Sequence, residues 1–256
     1  MSLDGRGAVV TGGGRGIGRA IARSLAENGA HVVVCARSED EIEGVAEELR
    51  AKGLDAHAVR CDVADEDSVE AMAVEATARL GTVDVLVNNA GITLSNPVKR
   101  ISLGEWNRII SVNATGTFLC TRAFLEGMID RGWGRVINIA SVAGLRGAPY
   151  IAAYTASKHA QIGFTRALAA EVADQGITAN AICPGYVDTP MTEYAVARIV
   201  EKTGGTREEA LERLASLSPQ GRLIRPQEVA HAVLMLCGND GEGINGQTIV
   251  IDGGPG

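Results

Sequence analysis

Seven short apolar runs recur along the chain: GAVVT (7–11), HVVVCA (31–36), AHAVRC (56–61), VDVLVN (83–88), GRVINIA (134–140), ITANAIC (177–183) and QTIVID (247–252). They are continuous and rich in β-branched residues rather than alternating apolar with polar, which is the pattern of strands covered on both faces. Between them lie longer segments of helical period at 15–28, 39–52, 65–80, 103–130, 154–174 and 226–237. Strict strand-helix alternation with right-handed crossovers predicts an α/β fold built on a doubly wound parallel β-sheet, helices on both faces. No repeat, charge run or Pro/Ser-rich linker divides the chain, so a single domain over 1–256 is expected. One stretch breaks the alternation. After the sixth run, 186–221 carries the polar, partly amphipathic insert EYAVARIVEKTGGTREEALERLA. Ligands of such sheets bind beyond the carboxyl ends of the strands, so this insert is placed as a substrate-covering lid.

Composition narrows the ligand. A net charge of −7 over 256 residues leaves no basic footprint, which excludes an extended nucleic-acid surface or a polybasic membrane patch. Five cysteines stand singly, with no C-x-x-C pair, so neither a zinc knot nor a disulfide framework is expected and no metal is assigned. No run of about eighteen apolar residues and no cationic flank with an apolar signal core appears, so the expectation is a soluble, cytoplasmic protein acting on a small molecule.

The first candidate chemistry sits between the first strand and its helix, in Thr11-Gly12-Gly13-Gly14-Arg15-Gly16-Ile17-Gly18. Gly12, Gly16 and Gly18 suit a sharp turn, a close backbone approach by a diphosphate, and tight helix-strand packing. The spacing is G-x-x-x-G-x-G, which departs from the G-x-G-x-x-G fingerprint, and no Gly-Lys-Ser/Thr follows. Taken alone, a turn that binds nothing explains it equally well. About twenty residues on, where an acidic side chain would hold a ribose 2′-hydroxyl, the chain has Ala36-Arg37-Ser38. A guanidinium pairs with a phosphate dianion, and Arg15 adds a second positive contact, so NADP(H) is expected over NAD(H). A solvated surface charge is the alternative for Arg37. Asn88-Asn89-Ala90-Gly91 follows the fourth run and either orients a loop near a ribose or is a turn.

Tyr154 and Lys158 carry the second signal. One helical turn apart and thirteen residues after Ser141, they share a helix face, so a phenol and an ammonium can meet one ligand. An adjacent ammonium lowers a phenol's pKa toward working pH and makes it a general acid and base. Ser141 ends the fifth run, where its hydroxyl reaches the crevice. The bland reading is a half-buried aromatic beside a surface charge.

Together TGGGRGIG, NNAG, Asn113, Ser141, Tyr154-x-x-x-Lys158 and Pro184-Gly185 resemble, in order and spacing, the short-chain dehydrogenases/reductases, in their compact single-domain Rossmann-type branch. The resemblance runs up to the closing IDGG. It implies that Tyr154 is the catalytic acid/base and Ser141 holds the substrate carbonyl. Lys158 would bind the nicotinamide ribose while depressing the tyrosine pKa, and Asn113 would hold a water that passes protons to solvent. The glycine turn, with Gly14 and Ile17, would cradle the diphosphate, and Arg37 with Ser38 the adenosine 2′-phosphate. Asp62 and Val63 would meet the adenine, Asn89, Ala90 and Gly91 the adjacent ribose, and Pro184, Gly185, Val187 and Thr189 the nicotinamide.

The insert resembles the longer lids of acetoacetyl-CoA and 3-oxoacyl-thioester reductases and of aromatic polyketide ketoreductases, with Val142, Leu145, Tyr150, Tyr186, Met191 and Tyr194 as candidate lining. Hydride transfer to a ketone, on a thioester of CoA or acyl carrier protein or on a polyketide-like ring, is the expected reaction. An NAD(H)-dependent secondary-alcohol or hydroxysteroid dehydrogenase is the alternative. A non-catalytic NADP(H) sensor is the rival from another class, and a sensor has no need of Asn113, Ser141, Tyr154 and Lys158 together. A nucleotide-sugar epimerase has a larger C-terminal substrate domain than this chain has room for. The resemblance also implies a homo-oligomer, with a tetramer favoured.

Overall fold

Seven strands form one all-parallel sheet in the order β3-β2-β1-β4-β5-β6-β7 in a computed structural model that describes residues 2–254. The strands are β1 (Gly7–Thr11), β2 (His31–Ala36), β3 (Ala56–Arg60), β4 (Val85–Asn88), β5 (Gly134–Ile139), β6 (Ile177–Pro184) and β7 (Thr248–Ile251). The expected domain, 1–256, thus extends at both ends outside the described residues. Neighbouring residues of a strand serve opposite layers: in β2, Val32 and Val34 face one core while Val33 and Cys35 face the other. This two-sided burial is why the runs are apolar without alternation.

The first layer holds α1 (Gly16–Glu27), α2 (Glu39–Arg50) and α9 (Pro226–Cys237), and the second holds α3 (Glu66–Leu80), α5 (Gly116–Arg131) and α6 (Ala152–Glu171). The chain leaves β1 toward β2 and β3, then returns to lay β4 on β1's other side. That reversal opens a crevice at the carboxyl ends of β1 and β4, the position where open α/β sheets bind ligands.

Three elements add to or depart from the sequence reading. The helix expected over 103–130 is two α-helices, α4 (Leu103–Ile110) and α5, joined by a π-helical turn over Ser111–Thr115. Hydrophobic period runs through the extra residue of such a turn, so the pattern does not reveal it. The α6 helix starts at Ala152, two residues ahead of Tyr154. The insert is a helical hairpin, α7 (Pro190–Thr203) and α8 (Arg207–Ala215), with a small core of its own around Val196, Ala210 and Leu214. It is tied to the sheet's end by a bridge between Val187 and Ile224. All five cysteines are buried free thiols, and no helix among the described residues is long and apolar enough to cross a membrane.

Candidate active site

The crevice floor is the glycine turn. Gly12 and Gly16 have φ of +63° and +53°, the left-handed region that costs a side chain strain. A Cβ on Gly18 would lie 2.2 Å from the Gly12 carbonyl oxygen, so α1 packs against the turn only because position 18 is bare. No side chain caps the start of α1, which leaves its first N–H groups available to an anion. These features fit a dinucleotide diphosphate. Of its neighbours, Gly14 lies against Glu41 of α2, and the half-buried Ile17 packs on the core beneath.

The loop after β4 is bolted to this turn. Asn89 donates through its side-chain nitrogen to the carbonyls of Thr11 (2.9 Å) and Gly12 (3.1 Å). Thr11 Oγ1 accepts the N–H groups of Asn89 (3.0 Å) and Ala90 (2.9 Å). The Asn89 side-chain nitrogen therefore braces the turn, while Asn88 lies in the core, bonded to Thr121 and Asn138. Thr11, absent from the sequence reading, is the pin between the two loops. Thr11→Val keeps the shape and strands two main-chain donors, so it is expected to lower unfolding free energy by about 2 kcal/mol. A urea titration with unchanged slope and a lower midpoint checks this, and an unmoved midpoint refutes it.

At the end of β2, Arg37 is exposed and makes no hydrogen bond or ion pair among the described residues, with the equally exposed Ser38 beside it. Arg15 differs: its guanidinium is paired with Glu41 at 3.2 Å. The second positive contact expected from Arg15 is thus partly spent within the protein. Asp62 closes a turn with the N–H of Ala64 (3.1 Å) and lies 3.6 Å from Arg108. The Val63 side chain is buried against Gly116 of α5. At the far side, Pro184 ends β6, and Gly185 allows close approach to Asp252, to which a Cβ would come within 3.0 Å. Thr189 at the lid's base lies over Gly16, 3.2 Å from where its Cβ would be, and Val187 is buried at the bridge with Ile224.

Ser141 and Tyr154 converge at the mouth. Extended backbone at Ser141 ends β5 and turns its hydroxyl toward the half-buried phenol of Tyr154, close enough to act on its pKa. Ser141 Oγ also accepts the N–H of Ala143 at 3.1 Å, which fixes its direction. Burial pushes the Tyr154 phenol up to about 12, against a smaller opposing effect from Ser141. This corrects the expectation of a phenol lowered by Lys158. The Lys158 ammonium stands 5.7 Å from the tyrosine ring centroid and is spent on Ile139 and Gln161 instead. Its own pKa falls to about 7 because the site is dry. Tyr154 is consequently a protonated acid throughout the neutral range.

Asn113 occupies the π-helical turn, fully buried. Both N–H groups of its carboxamide are committed, one to the Ile92 carbonyl (2.9 Å) and one to Ser157 (3.0 Å), and its oxygen receives the Ile92 N–H (2.9 Å). The side chain has no donor left for a water, so its visible work is to clamp the loop after β4 onto α6. Among the described residues no cluster of His, Cys, Asp and Glu could hold a metal ion.

Residues 6–199 match the model of the short chain dehydrogenase family. The chain belongs to the short-chain dehydrogenases. This dehydrogenase is 40% identical to a Streptomyces coelicolor protein named as a ketoacyl reductase, over 97% of this chain and 96% of that relative. It is 39% identical to the 3-oxoacyl-acyl-carrier-protein reductase of Staphylococcus aureus, over 97% of each chain. Among solved structures, an actinorhodin polyketide ketoreductase variant with NADPH superposes with a TM-score of 0.95 at 39% identity, over 99% of this dehydrogenase and 98% of that chain. A Beutenbergia cavernae protein named as an NAD(P)-dependent gluconate 5-dehydrogenase, with bound NADP, reaches 0.89 at 41% identity, over 99% and 97%.

Proposed function

We propose that this dehydrogenase reduces the ketone of a 3-oxoacyl thioester or polyketide-like chain with NADPH, the substrate carried on CoA or an acyl carrier protein. The observation that carries the reading is the Ser141–Tyr154 hydroxyl pair at the open end of the sheet, beside a bare glycine turn and an unpaired Arg37. The names of the relatives support it. Bound in the crevice, NADPH supplies the hydride. Ser141 and Tyr154 hold the ketone oxygen, where negative charge develops, and Tyr154 gives that oxygen its proton. Asn113 keeps the loop of Gly91 and Ile92 against α6. Lys158 supplies the positive charge beneath. The lid hairpin shuts water from the reacting groups. A homotetramer in the cytoplasm completes the reading.

The test follows NADPH oxidation by the purified protein with acetoacetyl-CoA, a longer 3-oxoacyl thioester, a bicyclic ketone, a steroid and a 5-keto sugar acid. The thioesters or the bicyclic ketone are expected to give kcat/KM of about 10⁴ M⁻¹s⁻¹ or more. Turnover confined to the steroid or the keto acid sinks the substrate class, and none on any of the five sinks the reductase.

A further inference from the structure

Beneath the reactive hydroxyls lies a closed ring of buried polar contacts. Lys158 Nζ donates to the main-chain oxygen of Ile139 (2.9 Å) and to Gln161 Oε1 (2.6 Å). Gln161 Nε2 donates to Thr117 Oγ1 on α5 (2.7 Å), and that hydroxyl donates to the main-chain oxygen of Asn113 (2.9 Å). Asn113 returns the path to α6 through Ser157, the residue beside Lys158. Every member is buried: Gln161 and Thr117 are 1% and 3% exposed, Lys158 4%. The bond directions allow one orientation of the amide. An ammonium has donors only, so Gln161 must present its oxygen to Lys158 and its nitrogen to Thr117, whose proton then has the Asn113 carbonyl as acceptor.

We propose that Gln161 is a positioning residue, a neutral amide that anchors the Lys158 ammonium at the end of β5 and ties it through Thr117 to the turn that carries Asn113. The inference deepens the reductase reading, on which it rests for the purpose of Lys158. With two of its three N–H groups spent on Ile139 and Gln161, the ammonium keeps one for a ligand. Gly91 borders the same space: a Cβ there would stand 3.6 Å from Nζ and 3.4 Å from Asn113 Oδ1. The neutrality of Gln161 sets the lysine's charge. A carboxylate in its place would lock the ammonium on, and an apolar side chain would leave a buried charge short of an acceptor. The titratable groups facing Lys158 are Tyr154 on its own helix and Cys183 on β6, both protonated at neutral pH because burial raises them. From β5 and α5 the network brings only the neutral Ile139 and Thr117, and from the π-helical turn Asn113.

The test needs neither cofactor nor ketone. Unfolding free energy of the free protein is followed with pH beside that of Lys158→Met, and the difference isolates the lysine. Its folded pKa, about 7, lies below the unfolded 10.5, so the unfolded state binds more protons between them. Wild-type stability relative to Lys158→Met therefore climbs with pH, starting near about 7. Against their own Lys158→Met doubles, Gln161→Leu is expected to move that onset down by about one pH unit and Gln161→Glu up by about one or more. Onsets that stay in place in both variants, whatever stability is lost, make Gln161 a packing residue and overturn the proposal. If Gln161→Leu does not fold, the Gln161→Glu onset decides alone. Failure of every ketone leaves this titration intact, while an unmoved onset in an active reductase sinks only the role of Gln161.

Discussion

Tyr154→Phe is expected to cut kcat for NADPH-dependent ketone reduction by about 10²–10⁴-fold, with kcat/KM falling in parallel and thermal stability retained. The ring still fills its half-buried place, and only the hydroxyl that faces Ser141 is gone. Ser141 alone then holds the ketone oxygen, with no acid to neutralise the charge it acquires. The pH dependence has a defined sign. With the phenol pushed up to about 12, reduction does not lose its acid as pH rises through neutrality, whereas alcohol oxidation, which requires the phenolate, gains up to about tenfold per pH unit over the same range. Steady-state rates in both directions between about pH 6 and 9 check this. A Phe variant with more than about a tenth of wild-type turnover removes Tyr154 from the mechanism.

Arg37→Asp is expected to lower kcat/KM for NADPH by about 10²–10³-fold and to make NADH the better cofactor. The guanidinium is exposed and unpaired at the end of β2, so nothing in the protein competes for it. Its replacement removes a bidentate phosphate partner, places a like charge there, and supplies an acceptor for a ribose 2′-hydroxyl. Arg15→Ala is expected to cost less, because Glu41 already shares that charge at 3.2 Å. Cofactor kinetics with both nicotinamides decide the matter. NADPH preference surviving in the Asp variant assigns the 2′-phosphate to another group.

The strands were legible because burial on both faces demands continuous apolar runs, and all seven runs lie within two residues of the observed strand ends at either side. The glycine turn was legible for a related reason. Positive φ at Gly12 and Gly16 and the close approach at Gly18 exclude side chains, so the residues themselves announce the geometry. The spacing of Tyr154 and Lys158 correctly puts them on one helix, yet it does not reveal that burial rather than the lysine sets the direction of the phenol's shift. Position i+4 determines a shared face, not which acceptor a long flexible side chain takes, and Gln161 at i+3 with the end of β5 outcompeted the phenol. A polar residue three positions past a helical lysine was the only signal of this, and it is a weak one. The intramolecular partners of Asn89 and Asn113 were not legible, since carboxamides donate and accept toward whatever the fold brings near.

By itself, the amino-acid order determined the doubly wound parallel sheet, the place of the crevice and the chemical identities gathered around it, because backbone sterics and apolar burial act locally and leave periodic marks. Tertiary structure alone decided the protonation state of Tyr154, the partner of Lys158, the π-helical turn under Asn113 and the pairing of Arg15. Each of these depends on desolvation or on hydrogen bonds between residues distant in the chain. Burial raises one pKa and lowers the other only after β5, β6 and α6 have closed around the two groups and excluded water.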